Sequence, residues 1–343
     1  MADGFTRLDP DGADPARVVR VDRGLVIVAT AAGTATADPY SLASRRHGTE
    51  GSPVTGDWVA VADDPTGHLA VVAVLPRWST IVRKADEERS PEAQVLAADV
   101  DLVGLVVPLD RPVPANRLER SLALAWESGA RPLVLLTKAD AAADPGGAVA
   151  AARAVSGGVD VLATSSTTGE GIGELRHRVA TGGTLVLLGP SGAGKSTLVN
   201  LLVGEEVQAT GDVRPSDLRG RHTTVTRELV PVPTGGVLLD TPGIRGLGLW
   251  DADEGVGRAF ADIDELATGC RFSDCRHDGE PGCAVAAAIA GGDLSARRYA
   301  SYRKLRDEMA AFDARRIESA RRAGGRPPGG RGRRGPGRSR PGH

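Results

Sequence analysis

At 343 residues, 41 % hydrophobic and 25 % charged with a formal net charge of −2, the chain is long enough for two or three domains with buried cores. Its longest apolar runs, such as LAVVAVL at 69–75, are far too short to span a bilayer. The start, MADGFTRLDPDGADP, has neither the basic residues nor the apolar core of an export signal, so a cytoplasmic protein without a membrane partner is expected. The 38 Arg against four Lys fit genomic base bias better than function.

Residues 17 to 84 alternate as strands do, in RVVRVDRGLVIVAT, GTATA, GDWVAVADD, HLAVVAVLPR and TIVRK, with turn residues between them. A small β-barrel or sandwich is predicted, and an open Greek-key barrel of the OB type fits the length. That fold often binds nucleic acid, so residues 1–84 are assigned as an RNA-binding OB domain, although fold alone does not establish function.

From about residue 99 strands and helices alternate. VDLVGLVVPL reads as a buried strand and NRLERSLALAWESG as an amphipathic helix ending at Gly129. RPLVLLTKAD, VDVLATSS, TLVLLG and GGVLLD supply further strands, which predicts a mostly parallel, doubly wound α/β sheet over 85–249. Such a sheet binds ligands beyond the carboxyl ends of its strands, where every motif below falls.

TKAD places Thr137, Lys138 and Asp140 after one of these strands. A carboxylate at Asp140 accepts two hydrogen bonds from N1 and the exocyclic amine of guanine, whereas adenine presents the wrong pattern and leaves it unpaired. The string is common and gains weight from ATSSTTGEGI after the next strand, which brings the backbone around Ser165 and Ser166 towards a base.

GPSGAGKS at 189–196 then matches the Walker A pattern between an apolar strand and a helix-forming KSTLVNLLVG. Gly189, Ser191, Gly192, Ala193 and Gly194 form the curl that turns N–H groups and a helix N-terminus towards phosphate oxygens, and Thr197 extends the contact. Lys195 neutralises the β- and γ-phosphates and Ser196 ligates Mg²⁺.

RGRHTTVTREL supplies Thr223 and Thr224, one of which closes on Mg²⁺, within a polar stretch from Gly211 to Thr226 expected of an order–disorder switch. In LLDTPG, Asp240 holds Mg²⁺ through water and Gly243 offers its N–H to the γ-phosphate. An ordinary GTPase reads phosphate loop, switch threonine, DxxG, NKxD and serine loop. This chain reads TKAD, serine loop, phosphate loop, threonine and DTPG, a circular permutation that closely spaced domain termini permit.

Beyond residue 250 the strands stop. All three cysteines of the chain lie in CRFSDCRHDGEPGC, a C-x4-C-x-H-x5-C spacing that gives Cys270, Cys275, His277 and Cys283. A Cys3His set fills a tetrahedral Zn²⁺ site and leaves no open position, which points to a structural ion rather than a catalytic one. The other reading is three buried thiols and an unrelated histidine. SARRYASYRKLRDEMAAFDARRIESARR follows, with Tyr299, Tyr302, Leu305, Met309 and Phe312 at helical spacing. The pattern reads as a helix packed onto its own domain, whose basic face with Arg297, Arg298 and Arg303 could equally be a plain solvated surface. Residues 250–320 are thus assigned as a helical zinc-binding domain.

The last stretch, 321–343, carries eight Arg and no acid, which leaves the preceding 320 residues at a net −10. Its Gly, Pro and Arg content cannot build a core, so a disordered tail is expected, serving either RNA contact or solubility.

Taken together, TKAD, GPSGAGKSTLVN, GRHTT, DTPGIRGLGLW and CRFSDCRHDGEPGCAV resemble the circularly permuted, small-subunit-dependent GTPases of bacteria, the RsgA family, over about residues 17–313. The resemblance implies an OB domain, a permuted GTPase domain and a zinc domain. It also implies binding to the 30S subunit and its 16S rRNA, a role in late maturation of that particle, and particle-stimulated hydrolysis of GTP to GDP that times release. A monomer is expected. Two departures stand out: Ala98-Asp99 replaces the Ala-Asn frequent in the family, and the basic tail is an addition. Where Ras-like proteins carry a water-positioning Gln, Ile244 cannot orient water, and His222 is the candidate to do so once the particle orders its loop. The competing readings are a GTP-gated RNA-binding module with incidental hydrolysis, and an ATP-dependent kinase, which TKAD disfavours.

Overall fold

The computed structural model describes residues 12–22, 24–39, 52–83, 94–205, 227–240 and 253–322. Strands β1 (Asp14–Asp22), β2 (Leu25–Thr30), β3 (Gly33–Ala37), β4 (Trp58–Asp63) and β5 (Leu69–Val74) pair antiparallel in the order β3-β2-β1-β4-β5. A parallel bridge from Asp38 to Ala70 brings the end of β3 back to β5 and rounds the sheet into a five-stranded, partly open barrel. Alternation does the work: Ala16, Val18, Val26, Val28, Val59, Val61 and Val71 point inward and fill it. A short hairpin, β6 (Thr80–Arg83) with β7 (Gln94–Ala98), carries the chain onward and spans position 84, where the sequence suggested a boundary.

The second unit is wound around a parallel sheet. Its strands are β8 (Leu102–Pro108), β9 (Arg131–Thr137), β10 (Val161–Ala163), β11 (Thr184–Leu188) and β13 (Val237–Asp240), in the order β10-β9-β8-β11-β13. Helices α1 (Ala115–Glu127), α2 (Pro145–Val155), α3 (Ile172–Gly182) and α4 (Lys195–Val203) cover its two faces. This explains why β8 and β11 are buried at every residue and read as continuous apolar runs. The chain runs outward from β8 through β9 to β10 and returns at β11 on the other side of β8. The order therefore reverses between β8 and β11, which opens a crevice at their carboxyl ends. Strand β12 (Glu228–Pro231) pairs antiparallel with β13 and touches β1 through Arg20 and Glu228, so barrel and parallel sheet share one hydrogen-bonded surface.

The joint between the two units is polar and dense. The Arg17 guanidinium donates to Thr184 Oγ1 at 2.6 Å and to the Asp99 carbonyl at 2.9 Å, and packs over the Trp58 ring. Buried Asp57 pairs with Arg77 through both carboxylate oxygens. Asp99 is fully buried with φ at +54°, a left-handed conformation that asparagine and aspartate tolerate best. Its carboxylate accepts from the Trp78 and Trp58 amides. Burial, opposed by those two amides, pushes this carboxyl up to about 6. The Asp-for-Asn departure in the sequence thus puts an ionisable group where an amide would be neutral.

Helices α5 (Asp253–Ala259), α6 (Ala261–Ala267), α7 (Ala284–Gly291) and α8 (Ala296–Arg322) complete the chain. Phe260, Ile263, Val285, Leu294, Leu305 and Met309 join the same apolar cluster as Val103, Leu118 and Leu122 of the sheet unit. Of the α8 arginines, Arg297 and Arg303 are exposed, as a solvated face predicts, and Arg298 is the exception. Arg298 is buried and donates to Glu119 of α1 at 3.0 Å and to both Asp262 oxygens at 2.7 and 2.6 Å. Arg297 takes Glu119 in a two-pronged pair at 2.9 and 3.0 Å, and Arg303 pairs with Asp278. Glu119 has no exposed surface, and two guanidinium groups balance the cost of burying it. No helix among the described residues is long and apolar enough to cross a membrane.

Candidate nucleotide and metal sites

The parallel topology brings the loops after β8, β9, β10 and β11 to one edge of the sheet. The phosphate loop leaves β11 at Gly189, where an added Cβ would stand 2.6 Å from the Val106 carbonyl, so only glycine passes. Gly194 has φ at +92° and caps α4 with no side chain of its own to compete for that helix's N-terminal N–H groups. These donors and the helix dipole make the end of α4 a cradle for phosphate. Lys195 Nζ donates to the Gly189 and Pro190 carbonyls at 2.8 and 2.7 Å, which holds the ammonium against the first turn of the loop. Ser191 and Gly192 are exposed, Ala193 is buried, and Ser196 and Thr197 are half-buried in the first turn of α4. A cavity of about 400 Å³ runs beside this loop, lined by Val107, Arg111, Arg117, Leu118, Leu188 and Ser191 among others.

The residues expected to face guanine are tied to that loop and to each other. Thr137 ends β9, and its hydroxyl donates to the Ala193 carbonyl at 2.6 Å. Lys138 follows with φ at +57°, turning the chain into a single 3-10 turn, Ala139–Ala141, that carries Asp140. Ser165, fully buried, donates its hydroxyl proton to Asp140 Oδ1 at 2.5 Å and accepts from the Thr167 and Thr168 amides. The Ser165 hydroxyl holds the Asp140 carboxyl below its ordinary range, so it stays ionised and ready to accept. Ser166 stands exposed beside it.

Two contributors escaped the sequence reading. Lys138 Nζ donates to Asp110 Oδ2 at 2.6 Å, and Asp110 follows β8 at the same sheet edge. A carboxylate just past a buried parallel strand is the signal that pointed to it. Thr164 is the second: its amide and hydroxyl both donate to the Leu136 carbonyl, and its carbonyl accepts from Ala139, which pins the serine loop to the TKAD loop. Asp240 ends β13 beside β11, but its side chain lies outside the described residues. His222, Thr223, Thr224 and Gly243 lie wholly outside them, as does the tail beyond Arg322.

The cysteine cluster forms at the foot of α8. Cys270, Cys275, His277 and Cys283 each bring one ligand atom, and these all lie within 4.8 Å of one another. His277 Nδ1 stands 3.5 Å from both Cys270 Sγ and Cys283 Sγ, and those sulfurs are 4.0 Å apart. Four ligands around one tetrahedral zinc, at about 2.3 Å for sulfur and about 2.0 Å for nitrogen, stand roughly 3.5 to 3.8 Å from each other. The donor set and its spacing therefore fit such an ion. Glu280, another residue the sequence reading passed over, shapes the loop by accepting from the Arg276 and Asp278 amides. These backbone donors, the Arg276 amide foremost, hold its carboxyl down at about 2. Tyr299 of α8 donates to the His277 carbonyl at 2.9 Å, and Cys283 Sγ accepts the Ala286 amide at the start of α7.

Comparison with known proteins agrees with this layout. A family model described as RsgA GTPase matches residues 74–250, more than half of the chain. The chain is 49 % identical over 322 residues to the small ribosomal subunit biogenesis GTPase RsgA of Streptomyces coelicolor, covering 92 % of this chain and 86 % of that one. It is 48 % identical to the protein of the same name from Streptomyces avermitilis, covering 93 % and 86 %. Among solved structures, YjeQ from Thermotoga maritima superposes with a TM-score of 0.66 at 25 % identity, over 87 % of this chain and 99 % of that one. YloQ, described as a circularly permuted GTPase, gives 0.64 over 88 % and 97 %, and at 22 % identity it speaks for the fold alone. The permuted order of loops around one sheet edge and these matches lead to one assignment: the chain belongs to the RsgA GTPase family.

Proposed function

We propose that the chain is a GTP hydrolase that binds the small ribosomal subunit and acts late in its maturation, with hydrolysis to GDP and phosphate timing its release. The observation that carries the reading is the bond between Thr137 and Ala193, which joins the loop suited to guanine to the loop suited to phosphate. The names of the relatives, small ribosomal subunit biogenesis GTPases at 49 and 48 % identity, support the partner. The site roles follow the chemistry of each group. Gly189, Ser191, Gly192, Ala193, Gly194 and Thr197 cradle the phosphates with backbone N–H groups, and Lys195 balances their charge. Asp140, supported by Ser165 and Ser166, accepts from guanine, while Lys138, steered by Asp110, flanks the base.

Ser196 and Asp240, with Thr223 or Thr224, are the residues to hold Mg²⁺, which supplies charge neutralisation at the β- and γ-phosphates when bound. Gly243 offers its N–H to the γ-phosphate, and His222 positions the attacking water. Cys270, Cys275, His277 and Cys283 hold a structural Zn²⁺. The barrel and the arginine-rich tail contact 16S rRNA, and the protein works as a cytoplasmic monomer.

Multiple-turnover GTP hydrolysis with and without 30S particles tests this reading. A rate that rises at least tenfold with 30S and not with 50S particles supports it. Equal rates under all conditions would leave a GTP-gated binding module instead. In the same assay His222→Ala is expected to remove the stimulated component alone, and full retention of stimulation sinks the role of His222.

A further inference from the structure

We infer that Thr137 is a positioning residue, which fastens the guanine-side strand to the phosphate loop, and that this chain therefore selects guanine by its Watson–Crick edge without reading N7. The inference rests on the proposed nucleotide site.

The geometry is compact. Thr137 is 5 % exposed, and its hydroxyl donates to the carbonyl of Ala193, a fully buried residue 56 positions along the chain. Gly194 lies against the same side chain, since a Cβ added there would stand 3.7 Å from Thr137 Oγ1. A threonine hydroxyl carries a single hydrogen. With that hydrogen on Ala193, the oxygen has only lone pairs left. The Hoogsteen edge of guanine presents N7 and O6, both acceptors, so the two groups have nothing to exchange. An asparagine, as NKxD has at this position, carries two amide hydrogens and can serve the loop carbonyl and N7 together.

Of the neighbouring buried hydroxyls, that of Ser165 donates its proton to Asp140 and that of Thr164 to the Leu136 carbonyl, while the Lys138 ammonium is drawn to Asp110. Selection accordingly rests on Asp140, which meets the N1–H and the exocyclic amine, donors that adenine does not present together.

Affinities of the full chain for GDP, ADP and 7-deaza-GDP, measured by titration calorimetry, test the inference. GDP over ADP by a large factor with 7-deaza-GDP within about twofold of GDP supports it. A neutral hydrogen bond is worth about two- to tenfold in affinity, so a loss above threefold for 7-deaza-GDP overturns it. No preference for GDP over ADP would overturn the nucleotide reading itself, a separate failure. Thr137→Asn should raise the ratio of 7-deaza-GDP to GDP dissociation constants to about two- to tenfold, and a ratio that stays at one counts against the role of the hydroxyl. Thr137→Val should weaken GDP and 7-deaza-GDP equally, with Thr137→Ser restoring both, whereas unchanged affinity in Thr137→Val overturns the tie. If Thr137→Val does not fold, the wild-type ratio and Thr137→Asn still decide.

Discussion

The phosphate loop and the cysteine cluster are both cradles, yet they are supported in opposite ways. The loop at 189–194 hangs between β11, buried throughout, and α4, whose Leu198, Val199, Leu202 and Val203 face the core. In the cluster no residue from 270 to 282 is buried and only Cys283 enters the apolar core, with Cys270 and Cys275 against it, while its polar contacts include Glu280, Tyr299 and the Ala286 amide. A cradle walled by a sheet keeps its shape through packing. One walled by its own ligands would depend on the ion proposed for it.

Metal removal should break that symmetry most strongly, because structural zinc supplies on the order of 10 kcal/mol to small modules. Hydrogen exchange after chelation, or in Cys275→Ser, is expected to lose protection across 270–283 while 185–203 stays protected. Equal protection in both segments with the metal gone would show that packing holds the cluster.

The next largest effect concerns how the two regions are joined. Glu119→Ala strips Arg297 and Arg298 of their shared carboxylate and leaves buried Arg298 with Asp262 and the Ala259 carbonyl. Breaking a buried ion pair from one side costs about 3 to 5 kcal/mol, to be read from denaturant unfolding. A loss below about 1 kcal/mol, the range of exposed pairs, would mean that this buried pair contributes no more than an exposed one.

The smallest effect lies at the joint between barrel and sheet, and it depends on pH. The Asp99 carboxyl is raised to about 6 when folded, against an ordinary 3.8, so the folded chain holds this proton more tightly. Its contribution is full below about pH 4 and falls as pH rises through about 6. Asp99→Asn removes the slope, because an amide does not titrate, while keeping an acceptor for only one of the Trp58 and Trp78 amides. Melting curves of the two proteins that run parallel from pH 4 to 8 would contradict this.

The comparison also explains what the sequence could reveal. Strands β8 and β11 were legible because burial on both faces forces continuous apolar runs, and the loops after β9 and β11 because their glycines and charged residues have few other uses. The cysteines were legible because ligand spacing is local. The arginines of α8 were not. Arg298 sits in a polar run, and its partners Glu119 and Asp262 lie 179 and 36 positions away, so no periodicity distinguishes it from a solvated residue. Glu119 itself is hidden in NRLERSL, where it follows Leu118 on a helix that otherwise alternates as expected. The bridge between Arg20 and Glu228 that merges barrel and sheet is equally silent, since pairing between strands so far apart in sequence leaves no local mark. The proton on the Thr137 hydroxyl belongs to the same class, fixed by a carbonyl that only the folded sheet edge brings near.

The central claim is that loops scattered in permuted order converge on one guanine nucleotide, with Asp140 reading the base. Replacing Asp140 by Asn and measuring affinity for guanine and xanthine nucleotides tests it most directly. Xanthine carries a carbonyl where guanine carries the exocyclic amine, so an amide can donate to it where a carboxylate cannot. Asp140→Asn is predicted to lose about ten- to a hundredfold in affinity for GDP and to gain affinity for xanthosine diphosphate. Unchanged affinity for GDP, with no gain for the xanthine nucleotide, would contradict the account.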